Sequence, residues 1–200
     1  MSQKTDTIEH GMFYHIYNRG INAENLFREK ENYLYFLKLY DKYVAPVADT
    51  FAWVLMPNHF HFLVRIKEKD EMIIDSNNPD RVDKNPSKYF SDLFNSYTQS
   101  INKKFNRHGN LFERPFKRIH IVDEIYCKNL VIYIHNNPIK HGFVDKITDY
   151  DWTSFKSILS DKHTKIQRVQ VIDWFEDRMN FEFCHRKGED IDLIKQFILE

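Results

Sequence analysis

Two histidines one residue apart, His59 and His61, lie in an apolar stretch that follows a Pro-Asn turn. Successive side chains of a strand point to opposite faces, so the two imidazoles share one face and Phe60 and Phe62 point to the other. Such a pair can present nitrogen atoms to one divalent cation, while the aromatic rings anchor the strand against a core. Because a histidine pair on a strand is more often simply half solvated, the rest of the chain has to supply further ligands or a reacting group.

A phenol and an amide lie four residues apart further along the chain, at Tyr133 and Asn137. On a helix this spacing places both on one face, with Asn137 at the end where helices fray. A tyrosine hydroxyl, with a normal pKa of about 10, needs a nearby cation or base to act as a nucleophile. Two imidazoles, the Asn137 amide oxygen and open positions would suit Mg²⁺ or Mn²⁺ engaged with a phosphate. Periodicity alone also allows Tyr133 to be a packed core tyrosine.

Basic and aromatic side chains are interspersed between residues 98 and 120, where Glu113 is the single acid. Cations neutralise phosphates and aromatic rings stack on unpaired bases, so this mixture favours a nucleic acid over a small ligand. Charged runs at a helix end are also commonly just solvated. The predicted nucleic-acid contacts are Lys103, Lys104, Arg107, Arg114, Lys117 and Arg118.

Composition limits the architecture and the location. The chain has 200 residues, 16% of them aromatic, with 5 glycines and 6 prolines, which indicates one globular unit with few linkers. The formal net charge of zero argues against a protein held to nucleic acid by bulk charge and leaves a local basic surface open. The distant Cys127 and Cys184, and the lack of a long apolar run, predict a cytoplasmic protein without membrane association.

Strands and helices that alternate along the chain are predicted to position these candidate site residues. Aromatic and β-branched runs predict strands over residues 12–20, 50–56, 59–66 and 116–122. Apolar residues recurring at three and four predict helices over 30–43, from Pro86 to about 105, and from an Asp123 cap to about 136, with a break at Pro138. The charged, aperiodic residues 67–85 predict a surface loop. This order predicts an α+β fold, a ferredoxin-like antiparallel sheet with helices packed on one face.

The last part of the chain has a different character. From Asp173 onward its acids outnumber its four cations, so the segment is net acidic and is not expected to contact a nucleic-acid backbone. These acids are Asp173, Glu176, Asp177, Glu182, Glu189, Asp190, Asp192 and Glu200. Aromatic residues between 174 and 183 predict packing on the body in preference to packing on a partner. We therefore divide the chain into residues 1–160, which carry the candidate site, and a C-terminal helical extension over 161–200.

Five segments resemble, in the same order, the signature blocks of single-tyrosine transposases with a His-hydrophobic-His motif, in the branch associated with repetitive extragenic palindromes. The segments are YNRG at 17–20, MPNHFHFLV at 56–64, GNLFERPFKR at 109–118, YIHNNP at 133–138 and DYDWTSF at 149–155. A bare His-x-His is a weak signal. Five blocks in register between about residues 12 and 156 are specific.

This resemblance implies a metal-dependent enzyme that cuts and rejoins single-stranded DNA at hairpin-flanked sites. It assigns His59, His61 and Asn137 as ligands of Mg²⁺ or Mn²⁺, and Tyr133 as the nucleophile that forms a 5′-phosphotyrosine and leaves a 3′-hydroxyl. Related enzymes occur as monomers and as homodimers that share sites, so both states remain open here.

Two other classes of function remain as alternatives. The first is a domesticated relative that binds hairpin DNA without cutting it, and the presence of Tyr133 and both histidines counts against it. The second is a metal-dependent phosphohydrolase in which His59 and His61 activate water for attack on a small phosphoester. Tyr133 has no role in that reaction.

Overall fold

The computed structural model describes residues 7–72 and 85–187. Most of the predicted loop, residues 73–84, and the end of the C-terminal extension, residues 188–200, lie outside the described residues. Within the described part of the chain, no helix is both long and apolar enough to cross a membrane.

Four strands form one antiparallel sheet in the order β2-β3-β1-β4. The strands are β1 (Phe13–Arg19), β2 (Ala48–Met56), β3 (His59–Ile66) and β4 (Lys117–Ile121). The hairpin between β2 and β3 turns at residues 57–58, as the sequence predicts, so β3 begins at His59. Because β1 lies between β3 and β4, its side chains are the immediate neighbours of the histidines on β3.

Six α-helices and two short 3-10 turns complete the described structure. The helices are α1 (Lys30–Tyr43), α2 (Ser87–Lys104), α3 (Glu124–Lys140), α4 (Phe155–Leu159), α5 (Arg168–Trp174) and α6 (Arg178–Lys187); the 3-10 turns are Ile21–Ala23 and Ile147–Asp149. The α+β class and the antiparallel sheet are therefore confirmed.

One face of the sheet carries the aromatic core beneath α1 and α2. Phe60 and Phe62 point to this face, as strand alternation predicts. The Phe62 ring stacks on Tyr40 of α1 at 4.5 Å, and the Phe60 ring packs against Phe36 of α1 and Phe94 of α2 at 5.4 Å each. Burial of these rings fixes β3 from behind and leaves its other face for the histidines.

The opposite face of the sheet packs against α3. Val54 of β2 and Leu63 of β3 are fully buried and join a second core with Val131 of α3. The predicted packing of helices on one face thus holds for α1 and α2, whereas α3 covers the other face. The reason is that β2 and β3 carry apolar side chains on both sides, so each face requires its own cover.

Helix α3 does not break at Pro138, and this prediction is wrong. The helix continues to Lys140 with the proline in its last turn. Proline forgoes its own backbone hydrogen bond, but the carbonyls of Asn137 and Pro138 are still satisfied, by the N–H groups of His141 at 3.0 Å and Phe143 at 2.9 Å. Burial of the whole stretch from Leu130 to Pro138 supplies the compensating packing. Asn137 therefore lies within the helix.

The described part of the C-terminal extension packs against α3. Trp174 of α5 and Phe181 of α6 are buried in the same core as Val131, and Phe183 is about half exposed. Because one continuous core joins these helices to the sheet, the boundary at residue 160 stays a prediction.

Candidate active site

A pocket of about 380 Å³ opens where β1 ends and β3 begins. The sheet register explains its composition, since Arg19 lies opposite His59 and Tyr17 lies opposite His61. The pocket is lined by Tyr17, Asn18, Arg19, Asn58, His59, His61, Glu113, Lys117 and His141. Both predicted histidines and one predicted DNA-contacting lysine thus meet in a single cavity.

Backbone hydrogen bonds hold the turn that precedes His59. The amide of Gly20 donates to the carbonyl of Asn58 at 2.8 Å, and the amide of Phe27 donates to the carbonyl of Pro57 at 2.9 Å. A side chain at position 20 is excluded because its Cβ would collide with the carbonyl oxygen of Glu24. The close approach of Gly20 to the backbone of Glu24 therefore requires glycine here.

The YNRG and GNLFERPFKR segments meet at the rim of the pocket. The Glu113 amide donates to the Arg19 carbonyl at 3.0 Å, and the Asn18 side-chain amide donates to the Glu113 carbonyl at 3.1 Å. The Arg19 guanidinium also pairs with the Glu113 carboxylate at 3.2 Å. These contacts hold the segment that carries Lys117 against the end of β1.

His59 contacts an amide oxygen through each of its ring nitrogens. Its Nδ1 lies 2.8 Å from Oδ1 of Asn58, and its Nε2 lies 3.0 Å from Oδ1 of Asn137. A neutral imidazole carries one N–H, so in that state one contact brings two lone pairs together. A cation between His59 and Asn137 would relieve this repulsion.

His61 is buried, with 2% of its surface exposed, and presents one unbonded nitrogen. Its Nδ1 lies 2.9 Å from Nε2 of His15, and its Nε2 has no hydrogen-bond partner among the residues that the structure describes. Burial lowers the pKa of His61 well below its ordinary value, and the nearby His15, His59, His141 and Lys140 lower it further. His61 is therefore neutral at physiological pH and can offer a lone pair.

These donor atoms fit a divalent cation. Ligands at adjacent corners of an octahedral site, each about 2.1 Å from the ion, lie about 3 Å apart. The separation of His59 Nε2 and Asn137 Oδ1, 3.0 Å, matches this spacing, and His61, which lines the same pocket as His59, has a buried and unbonded Nε2 among the described residues. Within residues 7–72 and 85–187, no three His, Cys, Asp or Glu side chains are grouped to hold a metal. The candidate set thus depends on the Asn137 amide as its third ligand.

Tyr133 lies beside His61 beneath the wall of the pocket. Its ring meets the His61 ring edge-on at a centroid distance of 5.5 Å, and the Lys140 ammonium lies 5.3 Å from its ring centroid. Only 2% of Tyr133 is exposed. The structure thus brings the predicted nucleophile next to one candidate ligand and one helical turn from another, Asn137. Burial raises the pKa of Tyr126, seven residues earlier on the same helix, to about 12.

The predicted DNA-contacting residues do not form one continuous surface. Lys117 lines the histidine pocket, whereas Arg114 and Arg118 line an adjacent groove of about 490 Å³. The Arg118 guanidinium lies 4.7 Å from the ring centroid of Phe116, which also lines that groove. Asn18 and Glu113 border both cavities, so the groove continues from the pocket.

The other three basic residues lie on the α2 side. Lys104 forms an ion pair with Glu29, and Arg107 pairs with Glu24 at 2.7 Å with only 13% of its side chain exposed. Lys103 is exposed. Part of this positive charge is therefore already neutralised within the chain.

The sequence analysis did not identify three residues of this site, His15, Tyr17 and His141. Each lies at the strand or helix spacing that places it on the same face as a predicted site residue. His15 and Tyr17 alternate on β1 and therefore share a face, and the Tyr17 ring stacks on both His15 at 4.7 Å and His61 at 5.6 Å. His141 follows Tyr133 and Asn137 at a further step of four, and its ring lies 5.0 Å from that of His59. No local pattern indicated that β1 would lie beside β3.

No family model matches the chain. Two curated relatives do. A candidate REP-associated tyrosine transposase of Haemophilus influenzae is 28% identical over 108 residues, which cover 54% of this chain and 58% of the relative. A REP-associated tyrosine transposase of Escherichia coli K12 is 26% identical over 139 residues, which cover 68% of this chain and 67% of the relative. The first match thus spans less than two thirds of the relative's length.

A solved structure shares the fold. It is described as a REP-associated tyrosine transposase bound to a REP hairpin, with a TM-score of 0.61, 20% sequence identity, and coverage of 80% of this chain and 87% of that one. Two sequence relatives carry the same family description as this structural neighbour, and residues of the YNRG, MPNHFHFLV and GNLFERPFKR segments line one pocket. In sequence and in fold the chain is therefore similar to REP-associated tyrosine transposases.

Proposed function

We propose that this protein cleaves and rejoins single-stranded DNA at hairpin-flanked sites through a covalent tyrosine–DNA intermediate. The observation that carries the proposal is that His59 and His61 line one pocket, with Asn137 in contact with His59 and Tyr133 against His61. The relative solved with a REP hairpin supports hairpin DNA as the substrate class. A hydrolase of small phosphoesters would leave Tyr133 without a role.

In the proposed reaction the Tyr133 oxygen forms a bond to phosphorus while the bond from phosphorus to the 3′ oxygen breaks. The tyrosine hydroxyl loses its proton and the departing 3′ oxygen gains one, so the products are a 5′-phosphotyrosine and a 3′-hydroxyl. A 3′-hydroxyl then attacks the phosphotyrosine in the reverse sense and joins the strands. Water takes no part, and the energy of the phosphodiester is retained in the intermediate.

The side chains around the pocket have distinct roles in this proposal. His59, His61 and Asn137 would hold Mg²⁺ or Mn²⁺, which when bound supplies a Lewis acid for the scissile phosphate. Lys117 on the pocket wall offers a positive charge to the same phosphate. Because Tyr133 is buried, its ring has to turn, or the end of α3 has to shift, before the hydroxyl reaches phosphorus.

The adjacent groove suits the single strand that flanks the hairpin. Arg114 and Arg118 provide cations for the backbone; Phe94 and Phe116 also line the groove, but both are buried and offer bases little aromatic surface. Since the groove shares Asn18 with the pocket, a strand lying in it would lead towards the histidines.

The test is a covalent-adduct assay with a labelled hairpin-flanked oligonucleotide and Mn²⁺. We expect a protein–DNA species that survives denaturation, disappears on protease digestion, and forms together with a fragment ending in a 3′-hydroxyl. Tight binding without cleavage would support the binding-module alternative, and cleavage without any adduct would support a hydrolase. Either result would overturn the proposal.

A further inference from the structure

A buried histidine on β1 contacts one of the candidate ligands. His15 is fully buried, and its Nε2 lies 2.9 Å from Nδ1 of His61, although the two residues are 46 positions apart. Their rings are nearly parallel, with centroids 5.1 Å apart and an interplanar angle of 22°. A separation of 2.9 Å between two ring nitrogens requires one hydrogen between them, because two lone pairs would repel each other.

That hydrogen can belong to either ring, and the choice determines what His61 can bind. If His15 donates, neutral His61 carries its own hydrogen on Nε2 and cannot ligate through that atom. If His61 donates from Nδ1, its Nε2 keeps a lone pair that can bind a cation. Nε2 of His61 has no hydrogen-bond acceptor within residues 7–72 and 85–187. A hydrogen there would be buried, and so would the hydrogen that the second arrangement places on Nδ1 of His15, so burial does not decide between them; only the second arrangement leaves His61 able to ligate a cation.

The surrounding rings hold both imidazoles in place. Tyr17 stacks on the His15 ring with an interplanar angle of 23° and on the His61 ring with one of 19°. Tyr133 meets both rings edge-on, at 78° to His15 and 88° to His61. Rotation of either imidazole would disturb these contacts, so the short contact between nitrogens is a fixed feature of the sheet.

We propose that His15 is a positioning residue that accepts a hydrogen bond from Nδ1 of His61 and thereby keeps Nε2 of His61 free to bind the metal. Metal-ligating histidines usually donate their second N–H to a carboxylate or a backbone carbonyl. Here a neutral imidazole takes that place, and it adds no negative charge beneath the pocket. The inference rests on the proposed function only in assigning Nε2 of His61 to a metal.

The first test reads the tautomer of His61 in the metal-free protein, without DNA. Long-range ¹H–¹⁵N correlation spectra of histidine-labelled protein distinguish the two tautomers, and the His61 signals are those lost in His61→Gln. We expect the hydrogen on Nδ1. A hydrogen on Nε2 would overturn the proposal whether or not the protein cleaves DNA, so its failure is distinguishable from failure of the proposed function.

The second test compares His15→Leu with His15→Gln. Glutamine can place an acceptor oxygen near the position of the His15 Nε2, whereas leucine fills space without an acceptor. Mn²⁺ binding to the metal-free protein, measured from the free Mn²⁺ electron-paramagnetic-resonance signal, should weaken about 10- to 100-fold in His15→Leu. His15→Gln should stay close to wild type. His120→Leu, an exposed histidine on the neighbouring β4, is the matched control and should bind as wild type does.

Equal Mn²⁺ affinity in folded His15→Leu and wild type would overturn the proposal, as would an equal loss in the folded leucine and glutamine variants. The second result would mean that His15 acts through packing alone. Circular dichroism and thermal unfolding establish whether each variant is folded. If His15→Leu does not fold, the tautomer of wild-type His61 and the Mn²⁺ affinity of His15→Gln still decide the question.

Discussion

Two buried histidine pairs lie on the α3 side of the sheet, and they differ in how many of their nitrogens are bonded. His15 and His61 contact each other at 2.9 Å, and so do His135 and His185. In the second pair Nε2 of His135 also lies 2.7 Å from the Ser154 hydroxyl, and Nδ1 of His185 lies 2.7 Å from the Phe181 carbonyl. All four ring nitrogens of that pair therefore have polar partners.

The fully bonded pair has a structural role. His135 lies on α3, His185 lies on α6, and Ser154 is held to β2 by hydrogen bonds with the backbone of Trp53 at 2.9 and 3.0 Å. The network ties the C-terminal helix to the sheet through α3. The His15–His61 pair instead leaves Nε2 of His61 without a hydrogen-bond partner in the described part of the chain, and His61 lines the pocket. A short histidine–histidine contact is thus compatible with either role, and the unbonded nitrogen identifies the site.

The largest effect is expected from Tyr133→Phe. This change removes the hydroxyl of the proposed nucleophile beside the His15–His61 pair and keeps the ring that packs on His61. Covalent adduct on a labelled hairpin oligonucleotide should be lost completely, whereas Mn²⁺ binding and the fold should persist. Tyr126→Phe is the matched control on the same helix and should form adduct normally. Adduct in Tyr133→Phe, or its loss in folded Tyr126→Phe, would show that the nucleophile is misassigned.

His59→Ala should abolish metal-dependent cleavage, with a decrease in rate of more than about 100-fold. Removal of a metal ligand should lower the rate more than removal of a residue that only hydrogen-bonds to a ligand, which typically costs about 10- to 100-fold. Hairpin affinity should stay largely intact, since backbone affinity comes from basic contacts elsewhere. Single-turnover cleavage in Mn²⁺ and a filter-binding titration measure the two quantities. Wild-type cleavage by the variant would refute the ligand assignment.

His185→Leu should affect stability and leave the chemistry unchanged. It leaves Nδ1 of His135 without a partner in the core, which costs about 1–3 kcal/mol. Urea unfolding measures the loss, and adduct formation well below the melting temperature should match wild type. If folded His185→Leu loses adduct formation, the His135–His185 pair also supports the active site. The proposed difference in role between this pair and the His15–His61 pair would then be wrong.

The fully bonded pair should also make stability depend on pH. Burial lowers the pKa of His135 well below its ordinary value of 6.5 and that of His185 to about 4, so the unfolded chain binds more protons as the medium becomes acidic. Their contribution is fully present above pH 6.5 and is lost as the pH falls towards 4, by at most about 1.4 kcal/mol per pH unit for each histidine. In the double variant His135→Leu, His185→Leu, the free energy of unfolding measured in urea should change less with pH between pH 7 and 5. An unchanged pH dependence would show that these two histidines do not cause it.

The smallest effect concerns the basic residues. Lys117→Ala with Arg118→Ala should weaken hairpin binding and lower the slope of log affinity against log salt by about 2, one for each lost phosphate contact. Lys103→Ala with Lys104→Ala is the matched pair and should change the slope less, because Lys104 is already paired with Glu29. A larger change in the second pair would place the main DNA contact along α2.

Local sequence determined most of the elements and the most informative part of the site. Helix α1 spans the residues that its apolar period predicts, and Asp123 caps α3 by accepting a hydrogen bond from the Tyr126 amide at 2.7 Å. Such features depend on neighbours within one or two turns, so a short window of sequence contains their cause. The same is true of His59 and His61, whose common face follows from strand alternation.

Tertiary structure decided the features that depend on residues far apart in the chain. Burial of α3 carried the helix through Pro138, against its local tendency to break there, and so placed Asn137 against His59. The strand order brought His15 against His61, although nothing near either residue indicates the other. Local hydrogen bonds and periodicity are set by adjacent residues, whereas strand order and helix packing depend on which arrangement buries the most apolar surface at once.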